Sequence, residues 1–192
     1  MNILQRVIEL DHQLFFAINE KWSNAFFDSI LPYTRESLVW MPLYLFLLVF
    51  IWMNFGKQGL WWALFFICLA ACCDLVSSKL IKENIMRARP CRHPEIAAHI
   101  RFLVNYCPQS SSFTSSHAAN HFGMATFIYF TLRPYTSKWL ALFFVWAAII
   151  CYAQVYVGVH FPIDVTSGAI LGIFIGYLMS VIFNKKMGLQ KA

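Results

Sequence analysis

The sequence predicts an all-α fold: an integral membrane helical bundle of about five transmembrane helices, preceded by an amphipathic interfacial helix. Three observations predict it. Only 12% of the 192 residues are charged, about half the share in a soluble domain. Hydrophobic residues make up 59% of the chain and aromatic residues 18%, which excludes a disordered polypeptide and argues against a cytosolic enzyme. The uncharged residues are also grouped: 37–56, 58–73, 139–159 and 165–184 contain no Asp, Glu, Lys or Arg, and 113–132 holds only two histidines. A bilayer-crossing helix needs roughly 20 mostly apolar residues, because lipid offers no partner to an open backbone N–H or C=O.

Taken in order, residues 1–34 mix charges into an apolar run and read as an interfacial segment, with a poor sixth span as the alternative. They lack the basic start, pure apolar core and small-residue cleavage site of a signal peptide. Spans follow near 37–55, 59–81, 114–132, 139–158 and 162–183, in a single membrane-embedded domain over 1–192. Trp52, Trp61, Trp62, Tyr135 and Trp139 flank the spans and read as interface anchors. Five spans put Lys57, Arg133, Lys138, Lys185, Lys186 and Lys191 on one side without an acid among them, which marks that side as cytoplasmic. The loop 82–113 falls on the other side. Lys79, Lys82, Arg87, Arg89, Arg92 and Arg101 crowd into or beside it. A basic cluster on the outer face is a poor topology signal and a good anion site.

Three polar constellations share that outer side. Lys82 and Arg89 lie seven residues apart, so a continuing helix of about 100° per residue returns them to nearly one face, and Pro90 ends the helix. Two cations on one stripe suit a multiply charged oxyanion. Thr114, Ser115 and Ser116 open the third span with N-cap chemistry, and the free N–H groups there form an anion site beside His117. His160 and Asp164 stand at the turn into the last span, where Pro162 suits the first helical position. A carboxylate four residues from a histidine orients its ring and stabilises its charged form.

Together, Lys82-x6-Arg89-Pro90, Ser115-Ser116-His117 and His160-x3-Asp164 resemble the three-part signature of the type 2 phosphatidic acid phosphatase family, which shares its site with vanadium-dependent haloperoxidases. The match covers about residues 37 to 183. It implies a metal-independent phosphatase acting on a membrane-embedded lipid phosphate. His160 would be the nucleophile, Asp164 its orienting group and His117 the general acid. Lys82, Arg89, Ser115 and Ser116 would hold the phosphoryl oxygens. The sequence departs from the pattern twice. Thr114-Ser115-Ser116-His117 stands where the family reads Pro-Ser-Gly-His, and Ala153-Gln154 stands where it reads Ser-Arg. Gln154 donates a hydrogen bond without charge, so another cation is expected to substitute; Arg87, Arg92 and Arg101 are candidates, and Arg101 is preferred.

Asp74 reads as a buried carboxylate bonded to serines, or as a support for Lys82 or His121. His121 shares a helix face with His117. Cys91 and Cys107, both in the outer loop, are candidates for a disulfide, while Cys68, Cys72, Cys73 and Cys151 read as apolar packers. Neither a cofactor nor a resident metal is expected, although His117, His121, His160 and Asp164 could in principle ligate one. No base-reading motif accompanies the basic residues, so nucleic acid is not an expected partner; the partners are the bilayer and a lipid phosphate. The resemblance favours undecaprenyl diphosphate, with phosphatidylglycerol phosphate, phosphatidic acid and lipid A phosphates as other substrates. The expected location is the inner membrane of a bacterium, with the site facing outward. A non-catalytic lipid-phosphate binder and an intramembrane metal or haem protein are the rival readings.

Overall fold

The computed structural model describes residues 2–190, which form six principal α-helices and no strand. Helix α1 (Ile3–Phe16) opens on a capping box: Asn2 accepts from the Gln5 N–H while the Gln5 side chain accepts from Asn2. It runs into a wider turn, Ala17–Lys21, and Asn24 then caps a separate α2 (Ala25–Thr34). The N-terminal segment is therefore two helices rather than one. Ile3, Leu4, Leu10 and Leu14 of α1 are exposed, as an interfacial helix requires.

Helix α3 (Met41–Leu75) is a hairpin. Gly56 takes φ 51°, ψ −127°, a region glycine enters without the usual Cβ penalty. The two arms fold back on each other: Tyr44 and Ala70, and Leu48 and Phe66, line one cavity, pairs that centre on residue 57. The second arm continues as a wider helical turn, Val76–Lys82. Then come α4 (Ser116–Leu132), α5 (Leu142–Tyr156) and α6 (Pro162–Lys186). Ser37–Lys82, Lys138–Tyr156 and Pro162–Lys186 are long and apolar enough to cross a membrane; the first crosses twice because of the hairpin. Helix α4 has 17 residues and is largely enclosed: Gly123 through Ile128 are buried without interruption, and Phe130 alone is exposed. A helix so enclosed has little need of a lipid-like sequence, and this one carries His117, Asn120 and His121.

Helices α4 and α6 run parallel at very close range. Gly168, Gly172 and Gly176 form one buried stripe on α6, and a Cβ on each would lie 2.4, 2.1 and 2.4 Å from the carbonyls of Ser115, Ala119 and Gly123. Small residues every fourth position let two backbones meet in this way. The contact places the first turn of α6 against the first turn of α4, and Ser115 N–H donates to the Asp164 carbonyl.

Trp62 is not an interface anchor. It is fully buried, stacks on Phe66 and donates its indole N–H to Thr131 at 2.7 Å. One end of the bundle is closed by Tyr135, whose hydroxyl donates to the Leu189 carbonyl, and by Gln58, which accepts from Gln190 N–H. Lys57, Arg133, Lys138, Lys185 and Lys186 lie at the connections and ends there; Lys191 lies outside the described residues. The other end carries α1, the loop after Lys82 and the turn at 159–161. That loop is joined to itself by a Cys91–Cys107 disulfide.

Candidate active site

At the second end a polar network centres on Asp164, in the first turn of α6 and fully buried. Its Oδ2 accepts from Ser112 Oγ at 2.5 Å and from the Phe161 N–H at 2.8 Å. Its Oδ1 accepts from Arg87 at 2.6 Å. His160 Nδ1 lies 3.6 Å from Oδ2 and 3.4 Å from Ser112 Oγ. The first distance is too long for a direct hydrogen bond, so the carboxylate acts on the ring by charge and through the serine. On the other side of the ring, Arg89 Nη1 stands 2.9 Å from His160 Nε2. A guanidinium only donates, which assigns the proton to Nδ1 and leaves the Nε2 lone pair turned toward a cation. His160 is 2% exposed. Burial pushes its ring down to about 4, against the pull of Asp164 and with Arg89 adding to the fall.

The cations are fixed as firmly. Arg89 donates to the carbonyls of Ser110, Val159 and Ser111 and to Ser110 Oγ. Burial lowers its guanidinium to about 10, far above neutrality, so it stays charged. Lys82 is buried and donates to Ser116 Oγ at 2.8 Å, an oxygen that Ser77 also reaches at 2.9 Å. Ser115 is the N-cap of α4, accepting from Ala118 N–H. His117 follows in the first turn, within reach of the charges of Lys82 and Arg35. His121 is buried one turn further in, bonded to the His117 carbonyl and to Tyr44. Thr114 Oγ1 is buried without a partner. Lys82, Arg89, Ser115, Ser116, His117, His160 and Asp164 are thus brought to one end of three helices. Among the described residues, no three His, Cys, Asp or Glu side chains are grouped to hold a metal ion.

Residues 59–188 match the PAP2 superfamily. The chain belongs to that superfamily. It is 29% identical over 186 residues to a lipid A 4′-phosphatase of Bacteroides thetaiotaomicron, covering 95% of this chain and 81% of that one. It is 30% identical over 147 residues to an undecaprenyl-diphosphatase of Sulfolobus acidocaldarius, 76% of this chain and 64% of that one. Among solved structures, a PAP2-type phosphatidylglycerolphosphate phosphatase of Bacillus subtilis shares the fold with a TM-score of 0.76 at 24% identity, over 94% of this chain and 88% of that chain. This PAP2 protein is accordingly a multi-pass membrane phosphatase, a phosphoric-ester hydrolase acting on lipid.

The structure moves three of the expectations. Arg101 does not enter the PAP2 site. Its Nη2 pairs with Asp28 at 2.5 Å and its backbone and side chain are tied to Asn19, because Asn19 and Asp28 of the N-terminal segment fold over that part of the loop. Arg87 is held between Asp11 and Asp164, so it serves the carboxylate rather than an open anion site. Asp74 is exposed rather than buried; it accepts from Ser78, whose hydroxyl also meets Ser116. Gln154 is fully buried and accepts from Arg35 Nε at 3.3 Å. Sequence reasoning missed Ser112 and Arg35, which sit outside the three motifs. Only the serine-rich run at 110–112, just before the second motif, hinted at Ser112.

Proposed function

We propose that this PAP2 protein hydrolyses its lipid phosphate through a phosphohistidine on His160. The observation that carries the reading is the arrangement around that ring: Nδ1 directed to Asp164 and Ser112, Nε2 unprotonated and 2.9 Å from Arg89. A phosphoryl group drawn to Arg89, Lys82 and the N-terminus of α4 would meet the lone pair of Nε2. Nε2 attacks phosphorus as the P–O bond to the lipid breaks, and protonated His117 gives its proton to the departing oxygen. His117, now neutral, takes a proton from water as that water attacks phosphorus and the N–P bond breaks, releasing phosphate. Such transfers rest mainly on positioning and charge stabilisation, with the covalent step dividing one difficult displacement into two.

The substrate we favour is a phosphate monoester on a saccharide lipid of the lipid A class. Two observations support it over undecaprenyl diphosphate. The lipid A 4′-phosphatase relative matches nearly the whole chain, N-terminal segment included. A cleft of about 390 Å³, lined by Tyr33, Arg35, Glu36, Asn105 and Tyr106 among others, offers hydrogen-bonding groups to sugar hydroxyls that a prenyl diphosphate lacks. The basic ends at Lys57, Arg133, Lys138, Lys185 and Lys186 support a cytoplasmic assignment for the far side. The site then faces outward from a bacterial inner membrane, with 1–192 acting as one catalytic unit.

The test is phosphate release by purified protein in detergent from lipid A, undecaprenyl diphosphate, phosphatidylglycerol phosphate and phosphatidic acid. The expected enzyme is inhibited by orthovanadate, keeps its activity in chelator, prefers lipid A and is inactive as His160→Ala. Faster turnover of undecaprenyl diphosphate would overturn the substrate assignment. Activity in His160→Ala would overturn the phosphohistidine.

A further inference from the structure

The buried and half-buried cations at the site end fall into two groups. Arg87 is neutralised by Asp11 and Asp164, and Arg101 is paired with Asp28. Lys82 and Arg89 have no direct ion pair with a buried carboxylate among the described residues, as expected of groups reserved for an anion. Arg35 belongs with them. It lies between α2 and α3, is 4% exposed, and its only acidic partner among the described residues is Glu36, itself 54% exposed, at 3.0 Å. Its Nε donates to Gln154 Oε1 at 3.3 Å, while no described residue takes its Nη2. A guanidinium buried with so little compensation is costly to the fold.

The seat of that guanidinium points to the same place. Gln154 is fully buried, and its Nε2 has no hydrogen-bond partner. Its main-chain carbonyl accepts from both Val159 and His160 N–H, so Gln154 and His160 belong to one turn. Arg35 is also among the charges that act on Arg89 and His117. A buried donor left open beside a buried cation, in the turn that carries His160, is a site for an oxyanion.

We propose that Arg35 is a phosphate ligand of this enzyme, seated by Gln154, whose own Nε2 donates to the same phosphoryl group. The cation comes from the N-terminal segment, 119 residues from its seat, and completes a triad with Lys82 and Arg89. The inference rests on the proposed reading of the His160 site.

The experiment measures kcat/KM on lipid A and the inhibition constant of orthovanadate for wild type, Arg35→Gln, Arg35→Lys, Gln154→Arg and the double variant Arg35→Gln with Gln154→Arg, with thermal denaturation of each. Arg35→Gln should lose about 10²- to 10³-fold in kcat/KM, with vanadate inhibition weakened in parallel. Gln154→Arg in that background should recover both in large part, and alone should gain nothing because two guanidinium groups then compete for one seat. Arg35→Lys should also weaken vanadate, since an ammonium lacks the planar fork. Wild-type vanadate inhibition in folded Arg35→Gln would overturn the proposal; if that variant does not fold, wild-type inhibition in Arg35→Lys would do so. Retained turnover in His160→Ala would instead sink the reading on which the proposal rests, without any change in the Arg35 variants.

Discussion

His160 is subject to two opposing influences: burial removes charge from its ring, and Asp164 favours charge there. Burial prevails, and the ring stays neutral down to about pH 4. Two results follow. The acid limb of kcat/KM set by the nucleophile should lie near 4 instead of near the ordinary 6.5. Between about 6.5 and 4 the unfolded ring binds a proton that the folded ring refuses, so stability is full above that window and falls as pH drops through it. Thermal denaturation from pH 7 to 4 should show this slope, and His160→Asn should flatten it. Asp164→Asn should lower kcat by about 10³-fold, because the amide loses the charge that orients the ring and weakens the Arg87 pair; equal kcat in the two proteins would remove Asp164 from the mechanism. At this scale most of the site was legible from side-chain chemistry. Lys82, Arg89, His117, His160 and Asp164 are ionisable groups gathered at the outer ends of apolar spans, a strong signal in a chain this apolar. Arg101 was misread because Asp28, its partner, lies far away in sequence and nothing local marks the pair.

Elements position these groups through backbone proximity. The α4–α6 contact has no room for a side chain at Gly172, where a Cβ would lie 2.1 Å from the Ala119 carbonyl. Gly172→Leu should therefore push the two helices apart, cost at least ~2 kcal/mol and misplace Asp164 relative to Ser115. Loss of monodisperse protein in detergent, or of turnover in what remains, would register it. Gly56→Ala meets no atom within 4 Å, so its cost should be backbone strain alone, about 1–3 kcal/mol for a φ/ψ region that side chains rarely enter. A wild-type melting temperature in Gly172→Leu would show that the close packing is dispensable. The spans themselves were readable from hydropathy, the α3 hairpin included. The break between α1 and α2 was not, since the Asn24 cap is a single polar residue in an already mixed segment.

At the scale of the molecule, the N-terminal segment is part of the site. Asp11 accepts from Ile163 N–H and pairs with Arg87, which pairs with Asp164, and His12 stacks on Phe161. Asp11→Ala leaves Arg87 with one carboxylate and α1 without its polar tie. Turnover should fall by about tenfold, with the loss in kcat, and proteolysis should release α1 more readily; unchanged cleavage would mean that apolar contacts alone hold the helix. The Cys91–Cys107 bridge joins residues 16 apart in sequence, worth roughly 3 kcal/mol in the chain-entropy model. Reduction should lower the melting temperature and loosen Arg89, which lies just before Cys91 and is anchored to Ser110 and Ser111 just beyond Cys107.

By itself the sequence determined the helical, multi-pass membrane class and the three polar motifs, because hydropathy and motif spacing are properties of neighbouring residues. The family resemblance raised the question of a substitute cation near Gln154. Which arginine is packed there is a matter of tertiary structure. Charge pairing between distant residues depends on which carboxylates the folded chain places first beside each arginine. Arg87 and Arg101 are already claimed by buried or half-buried acids, and among the described residues it is Arg35 that donates to the glutamine.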